Sequence, residues 1–362
     1  MALQSSGAIS LNEIHIEAGG SSGTTATIND SDIRDLIDKS SGATMSFNEW
    51  YGASAFTARW VGAGGGKRQS MQYVDVATLG NASDFGDMLY HNGGESRQLC
   101  ASASSITRGV YLGGNHPAGL QTLEYITFAT TGNGTDFGDC GNSYGAAGLS
   151  NDTRGVFAGN AYDYTEIEYI TIASAGNTTD FGNLNAQGHY DAGSCASSTR
   201  GVICGGYASN GRTERMSYIT TASTGDASDF GDLAEDLQGK ATGSMGSNTR
   251  GIICGGHHGS ENQANVNGPR NTIEYITISS TGNATDFGDA LSQRVHAASG
   301  SSKTRAIPRA GGYNYESPGR STTMDYVTIA STGNAADFGD LVDGEQQWSG
   351  ASNGCGGTSS SS

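Results

Sequence analysis

A mainly β fold, a six-bladed β-propeller behind a small helical module, is predicted by three regularities of the 362-residue sequence. The first is a stretch typified by TGNATDFGDA (281–290), written six times with small edits, whose Phe falls at Phe85, Phe137, Phe181, Phe230, Phe287 and Phe338, at intervals of 52, 44, 49, 57 and 51. The second is a Tyr twelve residues before each Phe: Tyr73, Tyr125, Tyr169, Tyr218, Tyr275 and Tyr326. The third is a short apolar run bounded by glycine upstream of each Tyr, as in RGVYLGG (108–114) and RGIICGG (250–256). Intervals near fifty match propeller blades and exceed most solenoid repeats. A catalytic signature is normally written once, so six copies point first to architecture.

Residues 1–55 lack the repeat and are expected to fold as a separate helical module. ISLNEI (9–14) and MSFNEW (45–50) each place Ser three residues before Glu, Ser10 with Glu13 and Ser46 with Glu49. That is the capping-box pattern that opens a helix, and Gly19 and Gly20 offer the first helix a stop. Between them NDSDIRDLIDKS (29–40) supplies Asx and Ser caps and sets Ile33, Leu36 and Ile37 on one helical face. Three short helices on so few residues leave a thin core, so the module is expected to dock on something. Trp50 and Tyr51, at the junction with the repeats, are the candidate docking anchors.

Residues 56–362 are read as six copies of a four-stranded blade. IEYITI (273–278) alternates apolar and polar residues as a half-buried strand does; TGN follows as a turn whose Gly and Asn tolerate positive φ, and a short strand carries the Phe. A register locked by the turn holds Tyr and Phe in one mutual position in every copy. The glycine-bounded runs, RGVFAGN (154–160) and RGVICGG (200–206) among them, fit a strand buried on both faces near the propeller axis. The first and sixth are looser, ARWVGAGGG (58–66) and RAIPRAGG (305–312), and Pro308 removes a ladder donor, which predicts an irregular strand. A fourth strand is placed just before each Arg, in CASASSITRG, GAAGLSNDTRG, GSCASSTRG and GSMGSNTRG, and QQWSGASNG (346–354) supplies the last one, beside residue 60, so that the ends can close the ring. Closure hides most sheet edges, which an open glycine-rich sheet would leave exposed.

Composition narrows the chemistry. With 57 glycines, more than twice the usual ~7% share, and 4 prolines, the chain suits many short strands joined by tight turns. A net charge of -17 with 19 basic residues argues against a nucleic-acid-binding face. Cys204 and Cys254 stand where other copies carry Leu112 and Ala158 and read as small buried hydrophobes; Cys100, Cys140, Cys195 and Cys355 lack CxxC spacing, so no zinc site is expected. No signal peptide, membrane span, metal or cofactor is expected. The recurring Arg108, Arg154, Arg200, Arg250 and Arg305 and Asp136, Asp180, Asp229, Asp286 and Asp337 are read as structural ion pairs and turn hydrogen bonds, and DFGD offers too few carboxylates for calcium.

Function is sought where the copies differ. From Arg to Tyr the separation runs 17, 15, 18, 25 and 21 in copies two to six, which puts the variable loops on one face. Their candidate ligand-binding residues are Tyr162, Tyr164, Tyr207, His257, His258, Tyr313 and Tyr315, accompanied by Asp163, Asn262, Asn265, Asn267 and Asn314. Flat aromatic faces with adaptable polar neighbours suit recognition, and a surface glycan is the preferred ligand class; solvated loops or a protein contact are the other readings. An enzyme is not expected: Glu124, Glu168, Glu274 and Asp325 recur beside the Tyr and read as structural, His257 and His258 lack a third ligand, and there is neither a nucleophile elbow nor a P-loop.

With ISLNEIHIEAGG and MSFNEWYGAS at its start and YVTIASTGN and DFGDL in its repeats, the chain resembles tail-fibre and other virion structural proteins of tailed bacteriophages, especially those of marine cyanobacteria. Nearly the whole chain is covered. The glycine doublets Gly113-Gly114, Gly205-Gly206, Gly255-Gly256 and Gly311-Gly312 resemble kelch repeats, although copy three has Gly159-Asn160 and the usual tryptophan is missing. The resemblance implies a virion location, attachment to other phage virion proteins through the N-terminal module, and a homo-oligomer, a trimer by analogy with fibres. Two readings follow: a tail fibre or appendage whose propeller recognises host-surface polysaccharide, and a capsid or tail decoration protein whose propeller is purely structural.

Overall fold

The computed structural model describes residues 3, 8–18, 21–30, 33–34, 36, 39, 42–50, 58–66, 69–89, 97–114, 120–141, 144–185, 188–209, 211–238, 244–258, 268–314 and 319–358. It divides into two compact units, Met1–Thr57 and Ala58–Ser362.

In the first unit the α-helix Leu11–Glu17 opens with both halves of the capping box: Glu13 N donates to Ser10 Oγ (3.2 Å) and Ser10 N to Glu13 Oε2 (2.7 Å). The second box differs. Ser46 N does donate to Glu49 Oε2 (2.7 Å), but Phe47–Trp50 is a single 3-10 turn rather than an α-helix. Trp50 turns inward there, donating its indole N–H to Ile33 O at 3.1 Å. It is fully buried with Leu3, Ile14 and Ile33 in the module's own core, so it is not available as a docking anchor. Tyr51, the other anchor, and Ile37 lie outside the described residues; Leu36, a turn residue, packs against that core.

The second unit is a propeller-like β fold, in which the described residues form six four-stranded antiparallel sheets. Copy two is representative: the small-residue strand Ala101–Ser104, the Arg strand Arg108–Leu112, the Tyr strand Thr122–Thr127 and the Phe strand Thr135–Asp139 pair in that order. The Tyr and Phe rings meet edge to face in all six copies, with centroids 5.8–6.1 Å apart. In copy one the small-residue strand is Trp348–Ser352, from the far end of the chain, paired with Arg59–Gly64. Pro308 lies where the register of Arg305–Ala310 shifts against both neighbours, the irregularity its missing N–H predicts. Copy five departs from the pattern: before Arg250 there are only isolated bridges at Ser244 and Gly246, and its fourth strand is Leu237–Gln238, paired with the far end of the long Arg250–His258 strand.

The Arg strands are buried and touch neighbouring sheets, as Arg250–His258 does Arg305–Ala310, but they are not the main place where the sheets meet. That place belongs to the small-residue strands: Ala101–Ser104 contacts Ala147–Ser150 and Trp348–Ser352, and Gly193–Ala196 contacts Ala147–Ser150. The sequence expectation is corrected accordingly, and the reason is steric, since only Ala, Gly and Ser let several backbones converge. Their hydroxyls cross between sheets, Ser102 Oγ to Gly350 O (2.7 Å) and Ser194 Oγ to Gly148 O (2.6 Å).

Among the described residues two contacts recur between every copy and the next, the sixth with the first included, and a third recurs in copies one, two, five and six. The turn glycine donates to the preceding Phe strand: Gly132 N to Phe85 O, Gly176 N to Phe137 O, Gly225 N to Phe181 O, Gly282 N to Phe230 O and Gly333 N to Phe287 O at 2.7–2.8 Å, and Gly80 N to Phe338 O at 2.9 Å. The turn Asn does not take positive φ. It serves through its side chain instead, as Asn283 Oδ1 accepts from Asp232 N (3.1 Å) and Asn81 Oδ1 from Asp340 N (3.0 Å); Asp226 does the same in copy four. Gly of DFG is dictated by this seam: at φ +137 to +149, a Cβ there would collide with the turn carbonyl of the next copy.

The second contact is the Arg. Among the described residues it forms no ion pair, contrary to expectation; each guanidinium lies over the Tyr ring of its own copy, 4.3–4.8 Å from the centroid. It also donates to a carbonyl of the next copy, Arg200 to Ile278 O (3.0 Å), Arg250 to Ile329 O (2.8 Å), and Arg305 to Val76 O (2.9 Å). Arg59, too loose to recognise in sequence, does likewise with Phe128 O. The third contact uses the polar residue before the Tyr. Glu124 accepts from Leu89 N, Glu274 from Ala234 N, Asp325 from Leu291 N and Gln72 from Val342 N, all in the preceding copy, so these carboxylates are structural.

All six cysteines are free and buried, Cys204 and Cys254 as the small hydrophobes expected. No helix among the described residues is long and apolar enough to cross a membrane.

Candidate functional site

Register fixes which residues share an end of the sheets. The start of each small-residue strand pairs with the end of its Arg strand, Ala101 with Leu112, Ala147 with Ala158 and Gly193 with Cys204. The variable loops after the Arg strands therefore lie at the same end as the segments entering the small-residue strands. At that end Leu99, Asp191, His296 and Gln347 take φ of +54 to +59, an uncommon conformation for residues other than glycine. Their backbones interlock across copies: Leu99 N donates to Gln347 O, Gly145 N to Leu99 O, Asp191 N to Gly145 O and Gln347 N to His296 O, at 2.7–2.8 Å. The non-glycine residues with positive φ are thus collected at one place, as at many functional sites.

Five tyrosines gather on this end. Tyr144 meets Tyr162 and Tyr190 edge to face at 5.5 and 6.0 Å, and Tyr164 stacks on Tyr190 at 6.1 Å. Tyr190 and Tyr207 exchange backbone hydrogen bonds at 2.7 and 2.9 Å. Tyr162 is 56% exposed and Tyr207 37%; the other three are half-buried. Gly145 makes room for the Tyr190 ring, which a Cβ would strike.

The supporting loops are internally bonded. Asn160 Oδ1 holds the N–H groups of Tyr162 (2.8 Å) and Asp163 (2.9 Å), and Asp163 Oδ1 holds both the N–H and the hydroxyl of Thr165. The Thr165 hydroxyl and backbone hold the Asp163 carboxyl below its ordinary pKa, so it stays charged beside the rings. Beneath them His189 is fully buried, its ring bonded to Gly205 O (2.6 Å) and Ser217 Oγ (3.0 Å). Burial, reinforced by the charge of Asp191, raises the Tyr190 phenol well above its ordinary value. Asp191 itself reaches His296 of copy six, Oδ2 to Nε2 at 3.1 Å. Burial lowers the His296 pKa, but the Asp191 carboxylate outweighs it and leaves the pKa raised.

Of the residues expected to bind, Tyr162, Tyr164 and Tyr207 come together. Tyr313 lies on the short strand Tyr313–Asn314 of copy six, between Arg294–Val295 and Gly319–Arg320. His257 and His258 end the long strand of copy five, where His258 is bound by Asp236 and faces Glu235 at 3.8 Å. Tyr315, Asn262, Asn265 and Asn267 lie outside the described residues. Tyr144, Tyr190 and the Asp191–His296 pair carry no signal in loop length: they sit in NSYG (142–145), GHYD (188–191) and RVHA (294–297), short connections that enter the small-residue strands. Among the described residues no group of three His, Cys, Asp or Glu could hold a metal ion. Neither a protein-family model nor a curated protein matches the chain.

Proposed function

We propose that this is a non-enzymatic virion protein of a tailed phage, a tail fibre or similar appendage, whose closed six-bladed kelch-like propeller offers a tyrosine surface to host-cell glycans. The ring is supported by the three contacts that pass from copy to copy and return from the sixth to the first, by turn glycine, by Arg and by the buried polar residue. The virion assignment rests on the resemblance of ISLNEIHIEAGG, MSFNEWYGAS and the DFGD repeats.

The observation that carries recognition is the cluster Tyr144, Tyr162, Tyr164, Tyr190 and Tyr207. Tyr162 and Tyr207 are exposed at this cluster, and a tyrosine offers what a sugar needs, a ring to stack on its C–H face and a phenol to hydrogen-bond its hydroxyls. Loops already fixed by their own side chains lose little further freedom on binding.

A second reading, a decoration protein, is favoured by the use of nearly every recurring side chain for joining copies, which makes a stiff block. The two separate on one experiment. The purified chain is tested on host cells and on isolated surface polysaccharide, beside Tyr162→Ala and Tyr207→Ala variants checked for intact folding. Recognition requires binding that both variants lose; no binding, with hundreds of copies per particle, makes it a decoration protein.

A further inference from the structure

At the end of the sheets opposite the tyrosines, residues 353–358 (NGCGGT) run through the place where the six sheets come closest, and all six are buried. They touch every copy. Asn353 exchanges hydrogen bonds with Arg59 of copy one and donates to Ile106 O of copy two (3.3 Å). Cys355 Sγ sits 3.4 Å from Ser104 Oγ, also of copy two. Gly356 N donates to Gly246 O (2.9 Å) and Gly357 N to Asn248 Oδ1 (3.2 Å), both of copy five.

The glycines are explained by the remaining copies. A Cβ on Gly356 would run into Ala196 O of copy four, one on Gly357 into Ser150 O of copy three, and one on Gly354 would lie 3.0 Å from Ser302 Cα of copy six. Nothing larger than glycine passes between those carbonyls. This segment lies outside the repeat, so its composition is unrelated to building a blade.

We infer that the converging turn ends of the six copies form a peptide-binding site whose ligand is the chain's own segment 353–358, a plug that locks the copies together and seals this end. Backbone carbonyls directed at the centre need donors, and a glycine-rich turn segment supplies N–H groups without the side chains that would exclude it. The plug follows directly on Trp348–Ser352, the strand that joins the chain's end to copy one, so its seating completes that pairing.

The test reads Cys355 as a reporter in the intact protein. Under native conditions Cys355 should react with a thiol reagent at least ~100-fold more slowly than in denaturant, as buried groups do when access requires opening. Cys100 is the control, because burial raises both thiols to about 11. Gly356→Ala should speed labelling of Cys355 by ~10-fold or more, as the freed segment opens, leave Cys100 protected, and lower the melting temperature. A chain ending at Ser352 should melt lower still and be restored by the free peptide NGCGGT, but not by the same peptide with Val at both central glycines. Rapid labelling of Cys355 in the unaltered protein overturns the inference, whatever the variants do. So does a Gly356→Ala protein whose labelling and melting are unchanged.

Discussion

Replacing Arg250 measures what holds neighbouring copies together. Its guanidinium lies 4.5 Å from the Tyr275 centroid and its Nη1 donates to Ile329 O at 2.8 Å, in a half-buried position. A partly desolvated cation–π contact is worth about 1 kcal/mol, and a hydrogen bond from a charged donor about 1.5 kcal/mol. Water recovers part of the second, so Arg250→Ala should cost about 2 kcal/mol. In a body of this size each kcal/mol shifts the melting temperature by roughly 2 °C, giving a fall of about 4 °C by calorimetry. Lysine keeps the charge but neither the planar stack nor the fork, so Arg250→Lys should lose about 1 kcal/mol or more. Arg200, 4.4 Å from Tyr218 and 3.0 Å from Ile278 O, should give the same cost within about 0.5 kcal/mol, because the geometry is the same. An Arg250→Lys protein as stable as the original would refute the stacking argument and leave only charge.

Three further outcomes are expected. Gly231→Ala should cost about 2–3 kcal/mol in urea denaturation, since φ is +140 and the new Cβ meets Gly282 O; a loss below about 0.5 kcal/mol would mean the seam yields. Asn283→Ala strands Asp232 N and should cost about 1 kcal/mol, whereas Asn283→Asp should be tolerated, because Asp226 already does that work in copy four; equal losses would show that the acceptor oxygen is irrelevant. The raised pKa of His296 means that its contribution is fully present below the ordinary value of 6.5 and is lost as pH rises through the higher folded value. The melting temperature of the original protein should therefore exceed that of His296→Gln most in acid, with the gap closing as pH rises; a gap constant across that range would exclude the Asp191 pairing as its source.

Much of this architecture could be read in the chain because it is repeated. A Tyr and a Phe held at constant separation across a turn implied one hairpin, and the rings do meet in every copy. What the periodicity could not convey was the purpose of each recurring residue. Asn in TGN reads as a turn former, yet it acts through its amide oxygen on another copy more than forty residues away, a partner no local rule reveals. The Arg reads as a charge seeking an acid and instead finds a ring and a carbonyl. Tyr162, Tyr164 and Tyr207 lie on the loops whose length differs most between copies, whereas Tyr144 and Tyr190 fall in the connections that enter the small-residue strands and join the others only through packing.

This partition bears on where function can reside. The recurring turn glycine, turn Asn and Arg are each engaged by a neighbouring copy, so altering one should weaken a seam and leave the tyrosine cluster alone. The tyrosine cluster is built differently, from side chains on connections that are not repeated in all six copies: Tyr144, Tyr162 and Tyr164, Tyr190 and Tyr207. Because the copies share one framework, such a cluster arises by changing connections without disturbing the joints between sheets. Because the cluster and the joints between sheets use separate residues, substitutions in the two sets should be additive in stability.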